Sequence, residues 1–164
     1  MRTLTIIRHA KSSWEQEGLS DFERPLNERG RRDAPVMAAR LKKDAALPNL
    51  LVSSPALRAI TTARMFAEVL GIPTENIQLQ AKIYDASLGT LLNIVQNLDD
   101  QYPHIALFGH NPGFSQLAQR LAPCNFDELP TCAIAQISLP VKNWRDAGAD
   151  MGTLSFSSWP KDQR

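Results

Sequence analysis

Cysteine is scarce in this chain: only Cys124 and Cys132 occur among 164 residues. That excludes a disulfide-built scaffold, and the pair lacks the spacing of a structural zinc site. Both read as small apolar fillers in a reducing compartment. Long hydrophobic runs are missing too. The opening "MRTLTIIRHA" is too short for a signal peptide or a membrane span, so the expected location is the cytoplasm. An excess of either charge is also absent, with 18 basic and 17 acidic residues and a net charge of +1. No global field therefore points to nucleic acid or to a membrane surface, and any anion site has to be a local cluster. Repeats, low-complexity tracts and linkers are not seen. Hydrophobic content of 43% and charged content of 21% suit one soluble domain spanning 1–164.

Within that frame, β-branched and apolar runs alternate with helical patterns. "TLTII" (3–7), "NLLVSS" (49–54) and "HIALFG" (104–109) predict buried strands, with a short one within 77–83. Segments 26–45, 55–70, 87–98 and 111–122 predict helices. Asn27 is a possible cap for the first, where Pro35 either kinks the helix or marks a later start. Ser54–Pro55 reads as cap plus proline for the second, and Asn111–Pro112 likewise for the fourth. "AIAQISL" (133–139) and "GTLSFSSW" (152–159) alternate like neighbouring strands. The pattern predicts a three-layer α/β/α domain with a mostly parallel central sheet.

The polar residues that follow the three core strands share a theme. Arg8–His9 follow the first, Arg58 lies early in the helix after the second, and His110 follows the third. All belong at the carboxyl ends of strands, the edge where open α/β sheets bind ligands. Two helix amino termini point at the same edge and favour an anion. Arginines hold phosphate oxygens in bidentate fashion, and histidines add a nucleophile or further donors. A phosphate pocket is the expected site. His104 starts its strand at the opposite edge and is expected on the surface.

Four motifs then carry a resemblance. "RHAKSSW" (8–14), "RPLNERG" (24–30), "SSPALRAITTA" (53–63) and "FGHNPG" (108–113) occur in the order found in the histidine phosphatase superfamily, the phosphoglycerate-mutase-like fold. The short chain, "RHAKS" and "GHNPG" resemble its small SixA-like phosphohistidine phosphatase branch. One departure is Ala10, where the family carries glycine; alanine is harmless there only if the backbone has negative φ. Lys11 stands where many relatives have an acid, and is either an added positive charge or an ordinary exposed lysine.

The resemblance implies that His9 attacks phosphorus and becomes a phosphohistidine, while Arg8, Arg58 and His110 hold the transferring group. Neighbouring arginines would keep His9 neutral, and its second ring nitrogen needs an acceptor such as a backbone carbonyl. Ser12 and Asn111 are candidate extra donors, with turn and cap roles as alternatives. Asp85, four residues before Gly89, is the candidate general acid; its alternative is to help cap the helix at 87–98. Glu23 and Asp21 are rival acids. No metal or other cofactor is required. The expected substrate is phosphohistidine in a protein. Alternatives are a small phosphomonoester metabolite or a non-catalytic phosphate- or partner-binding module.

Overall fold

Alternation within the first strand sets the layering. In the computed structural model, which describes residues 1–162, β1 (Arg2–Arg8) turns Leu4 and Ile6 to one side and Thr5 and Ile7 to the other, all fully buried. A strand apolar on both faces needs cover on both. The chain supplies it with α1 (Glu28–Asp44) and α2 (Leu57–Leu70) on the Ile7 side, where Met37, Leu41 and Phe66 are buried. On the Leu4 side lie α3 (Leu88–Gln96) and α4 (Gly113–Leu121), with Leu91, Phe114 and Leu117 buried, and Trp144 from a short 3-10 turn. Burying a side chain of this size is worth roughly 1.5–3 kcal/mol, so the two cores supply most of the favourable free energy of folding.

The remaining strands are β2 (Leu50–Ser53), β3 (Gln78–Leu79), β4 (His104–Gly109), β5 (Ile134–Leu139) and β6 (Thr153–Ser158). Their order in the six-stranded sheet is β3-β2-β4-β1-β5-β6. Pairing is parallel from β3 through β1, then antiparallel to β5 and β6. The α/β architecture with a mostly parallel sheet follows the strand-and-helix alternation in the sequence.

Several details differ from the sequence expectations. Helix α2 starts at Leu57, not Pro55, because Ser54 is still held in extended pairing by its N–H to the Phe108 carbonyl at 2.9 Å. Ser54 Oγ nevertheless accepts from the Ala56 N–H at 3.2 Å. Helix α4 starts at Gly113, after a cis Asn111–Pro112 bond, and Asn111 Oδ1 accepts from Ser115 N at 3.2 Å one turn in. Helix α1 runs through Pro35 from a start at Glu28, with Asn27 accepting from Gly30 N at 2.9 Å as its cap. His104 is buried, not a surface residue. It opens β4, a central strand flanked on both sides, and its Nε2 lies 2.6 Å from Thr5 Oγ1. Cys132 is buried, whereas Cys124 is only half-buried.

The segment leaving β1 is fixed by α1. Asn27 N donates to the Lys11 carbonyl at 3.0 Å, and Gly30 packs directly against that carbonyl. A Cβ at Gly30 would overlap the Lys11 oxygen, which is rigid backbone. Gly30→Ala should therefore lower stability by roughly 1–3 kcal/mol, the range of overpacked sites, and displace the turn after His9. Gly89→Ala is the control. Its Cβ would meet nothing closer than 3.9 Å, and helix propensity favours alanine, so stability should hold or rise by up to about 1 kcal/mol. Urea denaturation of the two variants against wild type measures both.

Candidate active site

Backbone pairing continues past the strand ends and carries the functional side chains with it. His9 N donates to the Gly109 carbonyl at 3.0 Å, and Cys132 N donates to the His9 carbonyl at 3.0 Å. Parallel β1 and β4 are in register Arg8 to Gly109, so the next residues, His9 and His110, emerge side by side. Their ring centroids are 5.3 Å apart. Arg58 comes from the first turn of α2, which follows β2 on the other side of β4. The carboxyl-end convergence expected of Arg8, His9, Arg58 and His110 is thus present in the fold.

Each side chain is held on one edge. His9 Nδ1 lies 2.7 Å from the Ala10 carbonyl, which can only accept, so Nδ1 carries the proton and Nε2 keeps its lone pair. Arg8 Nη1 donates to the Leu129 carbonyl at 2.8 Å. Arg58 donates from Nη1 to the Asp21 carbonyl at 2.6 Å and from Nη2 to Asp21 Oδ2 at 2.9 Å. His110 Nε2 lies 2.8 Å from Ser54 Oγ. What remains is a set of buried nitrogens without hydrogen-bond partners: Arg8 Nε, Arg58 Nε and His110 Nδ1. Buried polar nitrogens are rarely left unpaired, and the two guanidinium N–H groups suit an oxyanion, joined by His110 Nδ1 in the tautomer where Nε2 accepts from the Ser54 hydroxyl.

Burial also sets the protonation states. It pushes His9 down to about 3, with His110 and the two arginines adding to the effect against the raising influence of the Ala10 carbonyl. Burial, then Arg58, pushes His110 down to about 4. Both imidazoles are neutral at ordinary pH. Asp21 is held well below the usual carboxylate range, chiefly by the Tyr84 hydroxyl that donates to it, with Arg58 and Arg24 contributing.

The cleft beside these groups has a volume of about 240 Å³ and is lined by Asp21, Arg58, Tyr84, Asp85, His110 and Asn111 among others. Asp85 sits at its rim in the left-handed region, φ 56°, which aspartate tolerates better than most residues. It does not cap α3; Ser87 does, accepting from Thr90 N at 3.2 Å. Glu23 is turned to Ser20, accepting from its N–H and hydroxyl at 3.2 and 2.8 Å. Ser12 Oγ accepts from Arg24 Nη1 at 2.6 Å. Asn111 Nδ2 donates to the Leu129 carbonyl at 2.8 Å, so it ties two loops together. Ala10 is fully buried, and left-handed φ outside glycine is confined among the described residues to Asp85, Cys132 and Asp150. Alanine is therefore unstrained there, and its N–H donates to Thr62 Oγ1 at 3.0 Å. Trp14 lies exposed beneath the Arg24 guanidinium, 3.5 Å from the ring centroid.

Sequence reasoning did not find Tyr84, Ser54 or the Leu129 carbonyl. A tyrosine immediately before Asp85 was the available signal for the first. The second lay inside the "SSPALRA" motif. A backbone carbonyl leaves no trace in a sequence.

The buried neutral histidines give a pH prediction. A histidine depressed in the fold binds fewer protons than in the unfolded chain between about pH 6.5 and its folded value. Stability therefore rises with pH across that window and is lost on acidification. His9 and His110 act this way, and so does His104, which burial pushes down to about 4. The melting temperature should fall from pH 7 to pH 5. Replacing His104 with glutamine, which does not titrate, should flatten that slope by about a third; calorimetry at stepped pH measures it.

Known proteins share this arrangement's scaffold. Residues 4–113 match the histidine phosphatase superfamily (branch 1). An uncharacterized chloroplastic protein of Arabidopsis thaliana is 33% identical over 159 residues, spanning 92% of this chain and 72% of its own length. The structure of the protein histidine phosphatase SixA complexed with tungstate superposes with a TM-score of 0.78 at 23% identity, over 96% of this chain and 97% of that one. A candidate phosphohistidine phosphatase SixA from Agrobacterium tumefaciens gives 0.77 at 26% identity, over 97% and 98%. With most of its length matched by the family and its fold shared with SixA proteins, the chain belongs to the SixA-like branch of the histidine phosphatase superfamily and is a phosphatase.

Proposed function

We propose that this phosphatase removes the phosphoryl group from phosphohistidine in a protein, through a covalent intermediate on His9. The observation that carries the reading is the His9 ring. Its Nδ1 is pinned by the Ala10 carbonyl, which leaves Nε2 as a nucleophile beside two guanidinium groups. Nε2 attacks phosphorus in line with the leaving group. Arg8 Nε, Arg58 Nε and His110 Nδ1 receive the equatorial oxygens as charge spreads over them. Water then attacks the phosphohistidine, and orthophosphate leaves with His9 neutral again.

The guanidinium groups supply the positive charge that a metal ion would bring to phosphoryl transfer, so the reaction proceeds without one. Tyr84 and Asp85 line one side of the cleft, and Asp85 is exposed there, which suits approach by a side chain of another protein. An imidazole leaving from phosphorus needs little proton assistance. The second reading is a small phosphomonoester substrate, and the placement of Asp85 on the cleft favours it, since an alkoxide leaving group needs an acid.

Phosphate release from a phosphohistidine protein, in the presence of excess chelator, tests the first reading. Turnover should survive chelation, and quenching should trap acid-labile, base-stable label on His9. A His9→Ala variant that keeps near-wild-type turnover would remove His9 from the reaction.

Asp85→Asn separates the two substrate classes. Asparagine keeps the size and tolerates the left-handed backbone. Single-turnover cleavage of an alkyl phosphate should slow by ~10²–10⁴-fold, the usual weight of general acid catalysis, while phosphohistidine and nitrophenyl phosphate change much less. Equal small losses on all three substrates would exclude Asp85 as the acid.

A further inference from the structure

One carboxylate in the site accepts hydrogen bonds at both of its oxygens. Asp21 lies in a 3-10 turn (Asp21–Glu23) of the segment that crosses from β1 to α1. Its Oδ2 accepts from Arg58 Nη2 at 2.9 Å and from the Tyr84 hydroxyl at 2.6 Å. Oδ1 accepts from Arg24 Nε at 3.1 Å, and its backbone carbonyl accepts from Arg58 Nη1 at 2.6 Å. Arg24 in turn reaches Ser12 and stacks on Trp14. The Tyr84 ring stands edge-on to both Phe22, at 5.1 Å, and His110, at 5.5 Å.

From this network we infer that Asp21 is a positioning residue for phosphoryl transfer, acting through Arg58 and Tyr84 and not as an acid. The inference rests on the reading of Arg58 as a phosphoryl-binding residue. A guanidinium has five N–H donors in one plane. Asp21 takes one from each Nη, through two oxygens of the same residue, and so fixes the plane by a two-point grip. Arg58 Nε is left buried and unpartnered on another edge of that plane. An arginine gripped this way presents its remaining donors without choosing among rotamers, which is the preorganisation that electrostatic stabilisation of a transition state requires. A proton donor role does not fit the same carboxylate, because three donors already converge on it and hold it ionised.

The charge of Asp21 makes the inference separable from a structural role. A carboxylate next to an anion site weakens ground-state phosphate binding by repulsion, while its grip on Arg58 aids the transition state. Removing the charge should split the two effects. In Asp21→Asn, kcat on nitrophenyl phosphate should fall by ~10–100-fold, as a slightly misplaced catalytic group implies. Inorganic phosphate should inhibit as well as it does wild type, or better. Orthovanadate, whose five-coordinate adduct resembles the transition state, should lose inhibition in proportion to kcat. Tyr84→Phe removes one donor to Asp21 with little change of shape but keeps the carboxylate charge, so kcat should fall by less than in Asp21→Asn and inhibition by phosphate should not improve. An Asp21→Asn enzyme with unchanged kcat would overturn the inference. So would parallel losses of kcat, phosphate and vanadate inhibition together with a lower melting temperature, the signature of a merely structural residue. Wild type and His9→Ala run alongside. A wild type without turnover, or a His9→Ala variant with it, defeats the proposed function itself, whereas a flat Asp21→Asn response in an active enzyme defeats only the positioning role.

Discussion

The register of one strand pair underlies the site. β1 and β4 run parallel with Arg8 opposite Gly109, and the His9 N–H extends the ladder by one bond to the Gly109 carbonyl. That places His9 and His110 as neighbours at the sheet's carboxyl edge. Strand side chains alternate with a period of two, so a slip of one residue would turn Ile6 and Ile7 to the wrong cores as well as parting the histidines. The apolar residues that lock the register, Leu4, Ile6, Ile105 and Leu107 on one face and Ile7, Ala106 and Phe108 on the other, are thus what fixes the chemistry in place.

Upon that frame the site trades stability for readiness. Leaving a buried polar nitrogen unpaired costs about 1–3 kcal/mol, and three such nitrogens belong to side chains on neighbouring elements. The fold bears this cost because each side chain is anchored elsewhere: Arg8 on the Leu129 carbonyl, Arg58 on Asp21, His110 on Ser54 and His9 on Ala10. The anchors fix orientation and leave nitrogens on other edges without a partner.

The layering and the residues at the carboxyl edge were legible in the sequence because both follow local rules. Strand periodicity is short-range, and Arg8, His9 and His110 lie within two residues of a strand end. Helix starts were less legible. Ser54 and Asn111 carry the chemistry of caps and do accept from early N–H groups, but tertiary pairing keeps Ser54 extended, and α4 begins only after Pro112. The place of His104 at the start of its strand suggests exposure, but its burial comes from β4 being central, and strand order is not a local property. The Asp21–Arg58 contact spans 37 positions and the Tyr84–Asp21 contact 63, beyond the reach of any spacing rule.

Charge balance explains how a nearly neutral chain holds a cationic pocket. Arg58 is gripped by a carboxylate, whereas Arg8 rests on a neutral carbonyl, with Glu128 4.0 Å away and exposed. Arg8, the residue next to His9 in the chain, is therefore the less fully compensated of the two arginines. Burial is the main reason His9 stays neutral, and the charges of Arg58 and Arg8 act in the same direction while attracting phosphate. Were Arg8 matched by a buried carboxylate as Arg58 is matched by Asp21, the pocket would lose its attraction for an anion. His9 would at the same time be easier to protonate. The two arginines thus differ in partner: Asp21 grips Arg58 closely, while Glu128 stands 4.0 Å from Arg8 in the open.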